Sequence, residues 1–161
     1  MRLTITSRSE NDTQCIGKSI GERLKGSEII LLESDLGGGK TTLTRGLTEA
    51  LGSQEQVTSP TFTISQVYGS GRLEVHHYDL YRLGEIGLMN QEIQEVLSLE
   101  NGVVVIEWPG LATESLPADR IIHISLERQK SGEDDRRITI EYPVELAYAV
   151  DPDVLEDAPC R

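Results

Sequence analysis

The chain is poor in basic residues, in cysteine and in long apolar runs. Only 15 Lys and Arg face 27 Asp and Glu, so the formal net charge is −12 at pH 7. Binding of nucleic acid rests largely on Lys and Arg that neutralise phosphates. We therefore expect that this chain alone does not bind tRNA or DNA tightly. A protein partner with a basic surface matches the negative net charge better.

Two cysteines, Cys15 and Cys160, are too few for a four-cysteine metal site or a disulfide framework. This usage is typical of a reducing cytoplasm, which is the location we predict. No apolar run approaches the ~20 residues of a membrane span. The N-terminus turns polar within a few residues, so we expect neither a membrane segment nor a signal peptide.

The length of 161 residues, with 37% hydrophobic and 26% charged residues, fits one soluble globular domain. We place that domain at residues 1–142. The remainder, 143–161, is an acidic extension. Its last part, 151–161, has few large apolar groups, so we predict a flexible tail there.

Strand and helix patterns alternate along the chain. Continuous aliphatic runs at 29–32 and 103–106 predict strands buried on both faces. A helical pattern begins near Ser9 and Asn11, either of which is a candidate cap, and helical spacing recurs from about residue 40 and over 91–99. Alternating residues predict further strands at 3–6, 121–126 and 137–142 and a hairpin from 63–68 and 73–78. The whole predicts a three-layer α/β, P-loop NTPase-like domain with a mixed, mainly parallel sheet.

A glycine-rich segment, SDLGGGKT at residues 34–41, follows the first buried strand and opens a helix. The P-loop pattern is G-x-x-x-x-G-K-[ST] in this same context. Glycines let backbone N–H groups converge on phosphate oxygens, and the helix N-terminus favours negative charge. Lys40 is predicted to reach the β- and γ-phosphates, and the Thr41 hydroxyl to bind Mg²⁺. The alternative is a strand–helix turn without a ligand.

One position departs from the pattern, because Ser34 stands where the first glycine belongs. A serine is tolerated there if the backbone is not in a conformation that only glycine adopts easily.

The second buried strand ends in Glu107, followed by Trp108. P-loop enzymes place a carboxylate at the end of a neighbouring strand, where it holds Mg²⁺ or its water. Glu107 is our candidate for that role, against the alternative of an ordinary surface acid. Trp108 is either part of the site or a packing residue.

His77, Asp79 and Tyr81 alternate and so share one face while the strand persists. Asp79 is a candidate base or water-orienting group near the strand end. His77 is interpreted as a structural histidine more readily than as a metal ligand, because a third ligand at usable spacing is missing from the sequence. Arg82 is a candidate partner for Asp79 or a phosphate, and Thr61 is either a sensor of the γ-phosphate or a turn residue.

Four motifs together resemble the signature series of the TsaE ATPases. They are GGGKTT at 37–42, SPTFT at 59–63, HYDLYR at 77–82 and IEWP at 106–109. A P-loop alone is generic, but this series in this order is specific, and the resemblance extends from about residue 3 to 142. It leaves Ser34 and the C-terminal tail unexplained.

The resemblance implies a cytoplasmic ATPase required for N6-threonylcarbamoyladenosine (t6A) at position 37 of tRNAs that read codons beginning with A. Such an ATPase acts through the TsaB and TsaD proteins and does not itself transfer the threonylcarbamoyl group. ATP and Mg²⁺ are the implied cofactors, and tRNA contact belongs mainly to the partners, in keeping with the acidic charge. We expect slow hydrolysis by the isolated chain, because the sequence offers no obvious arginine finger.

The resemblance also implies roles by position. Asp79 and Lys40 are the implied catalytic residues, and Thr41 and Glu107 hold Mg²⁺. The first helix is placed near adenine and either Arg136 or Arg137 near the nucleotide, with Arg137 taken as the candidate. The implied ATP-binding residues are Gly37, Gly38, Gly39, Lys40, Thr41, Thr42, Thr61, Trp108, Ser9, Thr13 and Arg137.

Two other functions remain open from the sequence. A P-loop small-molecule phosphotransferase needs an acceptor pocket and usually an arginine-rich lid. Arg128, Arg136 and Arg137 are the candidates for such a lid, although acids lie among them. A GTPase-like switch needs a way to read guanine, and the N-K-x-D motif that would supply it is missing from the sequence.

Overall fold

The computed structural model describes residues 1–60, 63–81, 87–110 and 115–156, with 87–90 described by their backbone alone. Thr61 and Arg82 therefore lie outside the described residues. The strands are β1 (Arg2–Ser7), β2 (Ile29–Ser34), β3 (Ser65–Tyr68), β4 (Glu74–Asp79), β5 (Gly102–Glu107), β6 (Ile121–Arg128) and β7 (Arg136–Glu141). The helices are α1 (Glu10–Gly21), α2 (Lys40–Ala50), α3 (Gly87–Ser98) and α4 (Pro152–Glu156).

The seven strands form one sheet in the order β1-β7-β6-β2-β5-β4-β3. The central pairs, β6–β2, β2–β5 and β5–β4, are parallel. The outer pairs, β1–β7, β6–β7 and β3–β4, are antiparallel. This arrangement confirms the α/β fold with a mixed sheet whose centre is parallel. The aliphatic runs of β2 and β5 lie in that centre because both of their faces are covered.

The sheet carries a core on each face. The larger core lies under α1 and α2 and includes Ile16, Ile20, Leu43 and Leu47. The smaller one lies under α3 and includes Ile93 and Val96. Residues of β2 and β5 contribute alternately to both, as expected of strands buried on two sides. α3 begins at Gly87, four residues before the predicted start at 91, within the ordinary error of boundary prediction.

α1 and α2 approach each other backbone to backbone. A Cβ added to Gly17 would lie 2.1 Å from the Leu43 carbonyl oxygen, and one added to Gly46 would lie 1.9 Å from that of Gln14. Side chains at these two positions would force the helices apart. Ser9, one of the two candidate caps, caps α1. The close approach brings the first turn of α1 beside the segment that precedes α2.

The C-terminal extension differs from the prediction. Residues 152–156 form α4, and Leu155 is buried in the larger core together with Leu146, Ala149 and Val150. The prediction of a flexible tail is therefore wrong for 151–156, because a few well-spaced apolar side chains are enough to anchor a short acidic segment. Residues 143–156 pack on the same core as the domain that precedes them.

Among the described residues, no helix is long and apolar enough to cross a membrane.

This packing predicts that Leu155→Ala lowers the free energy of unfolding by about 2 kcal/mol or more, as large-to-small core substitutions do. Val144→Ala is the matched control, since Val144 is 70% exposed in the same segment and its truncation should cost less than about 0.5 kcal/mol. Urea unfolding measures both. Equal, small effects would show that the extension does not share the core.

Candidate functional site

The segment between β2 and α2 lies at the carboxyl edge of the parallel strands. Gly37 and Gly39 have φ of +70° and +111°, a region that side chains disfavour, so glycine is required at both positions. Ser34 lacks a positive φ, so the serine causes no backbone strain. Residues 34–39 form the phosphate loop. α2 begins directly at Lys40, with Gly39 as its N-cap and no acidic residue in its first turn.

The sheet register places two carboxylates beside the phosphate loop. β4 and β5 are parallel neighbours, and Asp79 is the register partner of Glu107. Glu107 is only 2% exposed and Asp79 only 5%. Ends of adjacent parallel strands meet at one edge of the sheet, and sites of α/β proteins form there. Both acids were predicted near strand ends, and the parallel register brings them together.

A cavity of about 280 Å³ opens between these acids and the phosphate loop. Its described lining contains both carboxylates, the glycines of the loop, Ser59 and the first residues of α2, and we call it the loop cavity. The predicted site residues that line it are Gly37, Gly38, Gly39, Lys40, Thr41, Thr42, Asp79, Glu107 and Trp108. The structure therefore gathers most of the candidate residues in one place.

Lys40 is the cation of the loop cavity and is 5% exposed. Its ammonium donates hydrogen bonds to Ser34 Oγ at 2.9 Å, Ser34 O at 3.3 Å and Asp35 O at 3.4 Å. Burial lowers the pKa of Lys40 below its ordinary value, and the carboxylates of Glu107 and Asp79 oppose that shift. A cation that has lost part of its hydration gains more from a nearby anion than an exposed one does.

Trp108 turns the chain sharply after β5, with a φ of +58°. A bulky residue in this region costs of order 1–2 kcal/mol, and such strain clusters at functional sites. The turn sets the indole ring 4.1 Å from Lys40 Nζ and 5.0 Å from the ring of Tyr81. Trp108 is therefore a wall of the cavity rather than a core residue, which decides between the two interpretations of the sequence.

His77 forms a buried side-chain contact with Glu107. Its Nε2 lies 2.9 Å from Glu107 Oε1, and both side chains are almost completely buried. Its Nδ1 is buried with no hydrogen-bond partner. A hydrogen on Nδ1 would be an unmatched donor, so the proton belongs on Nε2, where it is donated to the carboxylate. Among the residues described, no group of three or more His, Cys, Asp or Glu is arranged to hold a metal ion.

Sequence reasoning placed His77 among structural histidines and missed this contact. The signal that could have found it is the parallel register. Once β4 and β5 are adjacent, His77 and Glu107 both lie near the carboxyl edge of the same pair of strands. Asp79 is oriented differently, since its Oδ1 accepts a hydrogen bond from the Tyr81 backbone N–H at 2.9 Å.

Two arginines of the β6–β7 hairpin donate hydrogen bonds to carbonyl oxygens of the phosphate loop. Arg136 Nε donates to Gly38 O at 2.9 Å, and Arg128 donates from one guanidinium nitrogen to Gly37 O at 3.0 Å. Arg128 and Arg136 are register partners and therefore point to the same side of the hairpin. They bind the carbonyl side of the loop and add positive charge behind it.

Arg137, the arginine taken as the candidate, points away from the phosphate loop. Neighbouring residues of a strand face opposite sides, and the Arg137 guanidinium lies 3.9 Å from the Glu127 carboxylate on the exposed face. The structure thus brings Arg136, and not Arg137, to the site. Sequence could not decide between them because the choice depends on the register of the hairpin.

A second, smaller cavity also borders the phosphate loop, and one of the remaining candidates lines it. Thr13 lines it together with Glu10, Gly39 and Arg136. The Thr13 hydroxyl is 2.7 Å from Ser7 Oγ, and Ser9 Oγ accepts the Asp12 backbone N–H as the cap of α1. Thr13 therefore lies beside the loop, whereas the described contact of Ser9 supports the helix. The predicted contact of these residues with adenine stays a prediction.

The segment around residue 61 is described only at its flanks. Pro60 O accepts hydrogen bonds from the backbone N–H groups of Thr63 and Ile64, and Ile64 O accepts that of Asp79 at 2.9 Å. Ser59 lines the loop cavity. The described residues on either side of 61–62 thus contact or line the candidate site, while the predicted role of Thr61 stays a prediction.

The fold and the loop define a P-loop NTPase-like α/β domain. The sequence model of one family, Threonylcarbamoyl adenosine biosynthesis protein TsaE, matches residues 7–138. The chain belongs to the TsaE family.

Individual relatives agree with the family match. A tRNA threonylcarbamoyladenosine biosynthesis protein TsaE from Bacillus subtilis is 37% identical over 80% of this chain and 78% of its own length. One from Treponema pallidum is 38% identical over 86% of this chain and 99% of its own length. The crystal structure of Bacillus subtilis YdiB superposes with a TM-score of 0.78 at 30% identity, covering 98% of this chain and 97% of the other.

The buried pair gives a first test of the site. We expect His77→Phe to lower the free energy of unfolding by about 1–3 kcal/mol, because the Glu107 carboxylate would lose its buried donor. His76→Phe is the control. His76 faces the other side of the strand. Its Nε2 lies 3.4 Å from the carboxylate of Glu74, a side chain that is 41% exposed. Urea unfolding at neutral pH measures the free energy of unfolding of both variants. Equal losses from the two substitutions would contradict the pairing of His77 with Glu107.

Proposed function

We propose that this chain binds Mg·ATP in the loop cavity, hydrolyses it slowly, and through that cycle supports t6A formation at position 37 of tRNAs that read codons beginning with A. The partners we propose are the TsaB and TsaD proteins, which would hold the tRNA. The observation that carries the proposal is the meeting of Lys40, Asp79 and Glu107 in one cavity beside the phosphate loop.

The residues present fit a nucleotide phosphate chain. Glycine is required at 37 and 39, the helix begins at Lys40, and its first turn carries no acid that would repel phosphate. Arg128 and Arg136 are bound to loop carbonyls and leave the opposite side of the loop to an anion. The base and ribose would lie toward the cavity lined by Thr13 and Arg136.

The residues also fit a magnesium ion. The Thr41 hydroxyl and the Glu107 carboxylate both line the loop cavity, and oxygen ligands of this kind are those that Mg²⁺ prefers. Held by these two residues, Mg²⁺ would supply positive charge against the negative charge that develops during phosphoryl transfer. His77 fixes one Glu107 oxygen, so the carboxylate would be presented in one orientation.

Asp79 is the proposed activator of water. It is buried at the end of β4, next to Glu107 in the sheet register, and its Oδ1 is oriented by the Tyr81 N–H. A positioned carboxylate can orient a water for in-line attack or accept its proton. Lys40 would bind the β- and γ-phosphates, and the Trp108 and Tyr81 rings would shield the cavity from solvent.

Low activity of the isolated chain follows from the placement of the arginines. Arg128 and Arg136 donate to the phosphate loop itself, and Lys40 is the one cation among the described residues that line the loop cavity. An arginine finger is worth ~10³–10⁵ in rate. We propose that the assembled TsaB–TsaD complex completes the site. The same placement weakens the phosphotransferase alternative, because these arginines are committed to the loop instead of an acceptor lid.

Binding of Mg·ATP tests the nucleotide site directly. Lys40→Ala should weaken binding about 10- to 100-fold, the value of a charge-assisted hydrogen bond. Lys18→Ala, on α1, changes the net charge equally and should bind like the parent. Titration calorimetry with ATP and GTP measures both the affinity and the base preference. Undiminished binding by Lys40→Ala would refute the phosphate site, and a clear preference for GTP would refute the ATPase.

Turnover tests the role of Asp79. Asp79→Asn keeps an acceptor for the Tyr81 N–H, so we expect Mg·ATP affinity to stay within about threefold. The rate stimulated by TsaB–TsaD should fall about 10²- to 10⁴-fold, the usual contribution of a general base. Asp119→Asn, an exposed acid, is the control. If binding is lost together with turnover, Asp79 is a ligand or a structural residue instead.

A further inference from the structure

Ser34 is the residue at which this chain departs from the P-loop pattern, and its side chain contacts two functional positions. Ser34 Oγ accepts a hydrogen bond from Lys40 Nζ at 2.9 Å and donates one to Asp35 O at 2.9 Å. It also borders Gly38 on the other side. A glycine at position 34 would make neither contact.

Ser34 Oγ accepts a hydrogen bond from an N–H group of Lys40 that a bound phosphate would also use. An ammonium has three N–H donors, and Lys40 already faces Ser34 Oγ, Ser34 O and Asp35 O. The two backbone oxygens would be present with any residue at position 34. The hydroxyl is specific to serine, and it makes the shortest of the three contacts. Phosphate oxygens must therefore compete with Ser34 Oγ for the lysine.

The contact with Gly38 is steric. Gly37 and Gly39 need glycine for their positive φ, whereas Gly38 is not among the positive-φ residues. A Cβ at position 38 would lie 2.4 Å from Ser34 Oγ and 2.5 Å from Ser34 Cβ. The third atom, Asp35 O, is 2.9 Å away and belongs to the backbone, so it adds a weaker clash that does not depend on the side chain at position 34. The Ser34 side chain thus makes the two closest contacts that a side chain at position 38 would meet.

We propose that Ser34 is a positioning residue of the phosphate loop: its hydroxyl competes with phosphate for Lys40, and its side chain makes glycine obligatory at position 38. The first half rests on the proposed function, because it concerns binding of ATP. The second half concerns the loop alone and can be tested without nucleotide.

The hydroxyl is tested by Ser34→Ala, which removes Oγ and keeps Cβ. We expect Mg·ATP to bind about threefold to tenfold more tightly, as the loss of one competing hydrogen bond allows. Ser98→Ala, at the end of α3, is the control and should bind like the parent. Calorimetric affinity equal to or weaker than that of the parent would overturn the competition. A lower KM with kcat unchanged in the stimulated reaction would support it, since a merely structural defect would not tighten binding.

The steric half is tested by unfolding of four proteins: the parent, Ser34→Gly, Gly38→Ala and the double variant. We expect Gly38→Ala to lower the urea midpoint in the parent and Ser34→Gly to restore most of that loss. Gly37→Ala is the matched control, because its penalty comes from φ and should persist with glycine at position 34. Equal losses from Gly38→Ala in both backgrounds would overturn the steric claim.

These two measurements separate the failure of this inference from that of the proposed function. If Lys40→Ala bound Mg·ATP like the parent, the ATP site would be refuted, while the unfolding cycle would still decide whether Ser34 and Gly38 are coupled. If Lys40 proves essential and Ser34→Ala binds no more tightly, the ATP site stands and the competition is refuted.

Discussion

The interaction on which the site depends is the attraction between one buried ammonium and two buried carboxylates. Lys40 comes from the first turn of α2, while Asp79 and Glu107 come from the ends of two parallel strands. Burying these charges is costly unless they face one another or a ligand. The two carboxylates favour the charged form of Lys40, and a bound phosphate with its magnesium ion would add further charges to the same cavity.

The rest of the architecture fixes the positions of those charges. Parallel pairing of β4 with β5 sets Asp79 next to Glu107, and His77 orients the latter from within the sheet. Close packing of α1 on α2 fixes the helix that carries Lys40. On the far side, Arg128 and Arg136 bind the carbonyl oxygens of the phosphate loop. The loop is thus polarised, with cations at its carbonyl side and the helix N-terminus toward the cavity.

Features set by local sequence could be predicted, and features set by strand register could not. The strand–loop–helix order around Lys40 and the acid at the end of β5 follow from composition and spacing over a few residues. The His77–Glu107 contact joins residues 30 positions apart and depends on which strands are adjacent. The choice of Arg136 over Arg137 depends on one residue of hairpin register, because a slip by one reverses every side chain. α4 was missed because composition does not show that Leu155 reaches a core built from distant segments.

Membership of the TsaE family indicates a role in tRNA threonylcarbamoyladenosine biosynthesis, and the geometry of the site supports the proposal that this role depends on ATP. The strongly acidic chain is suited to a protein partner rather than to tRNA, so its effect should be seen in the partner's output. The most direct measurement is the amount of t6A formed on tRNA by TsaB–TsaD supplied with ATP and threonylcarbamoyl donor, with this chain or with Lys40→Ala added. We predict repeated turnover with the parent chain and little beyond the level without it for Lys40→Ala. Equal t6A yields from the two proteins would contradict the account.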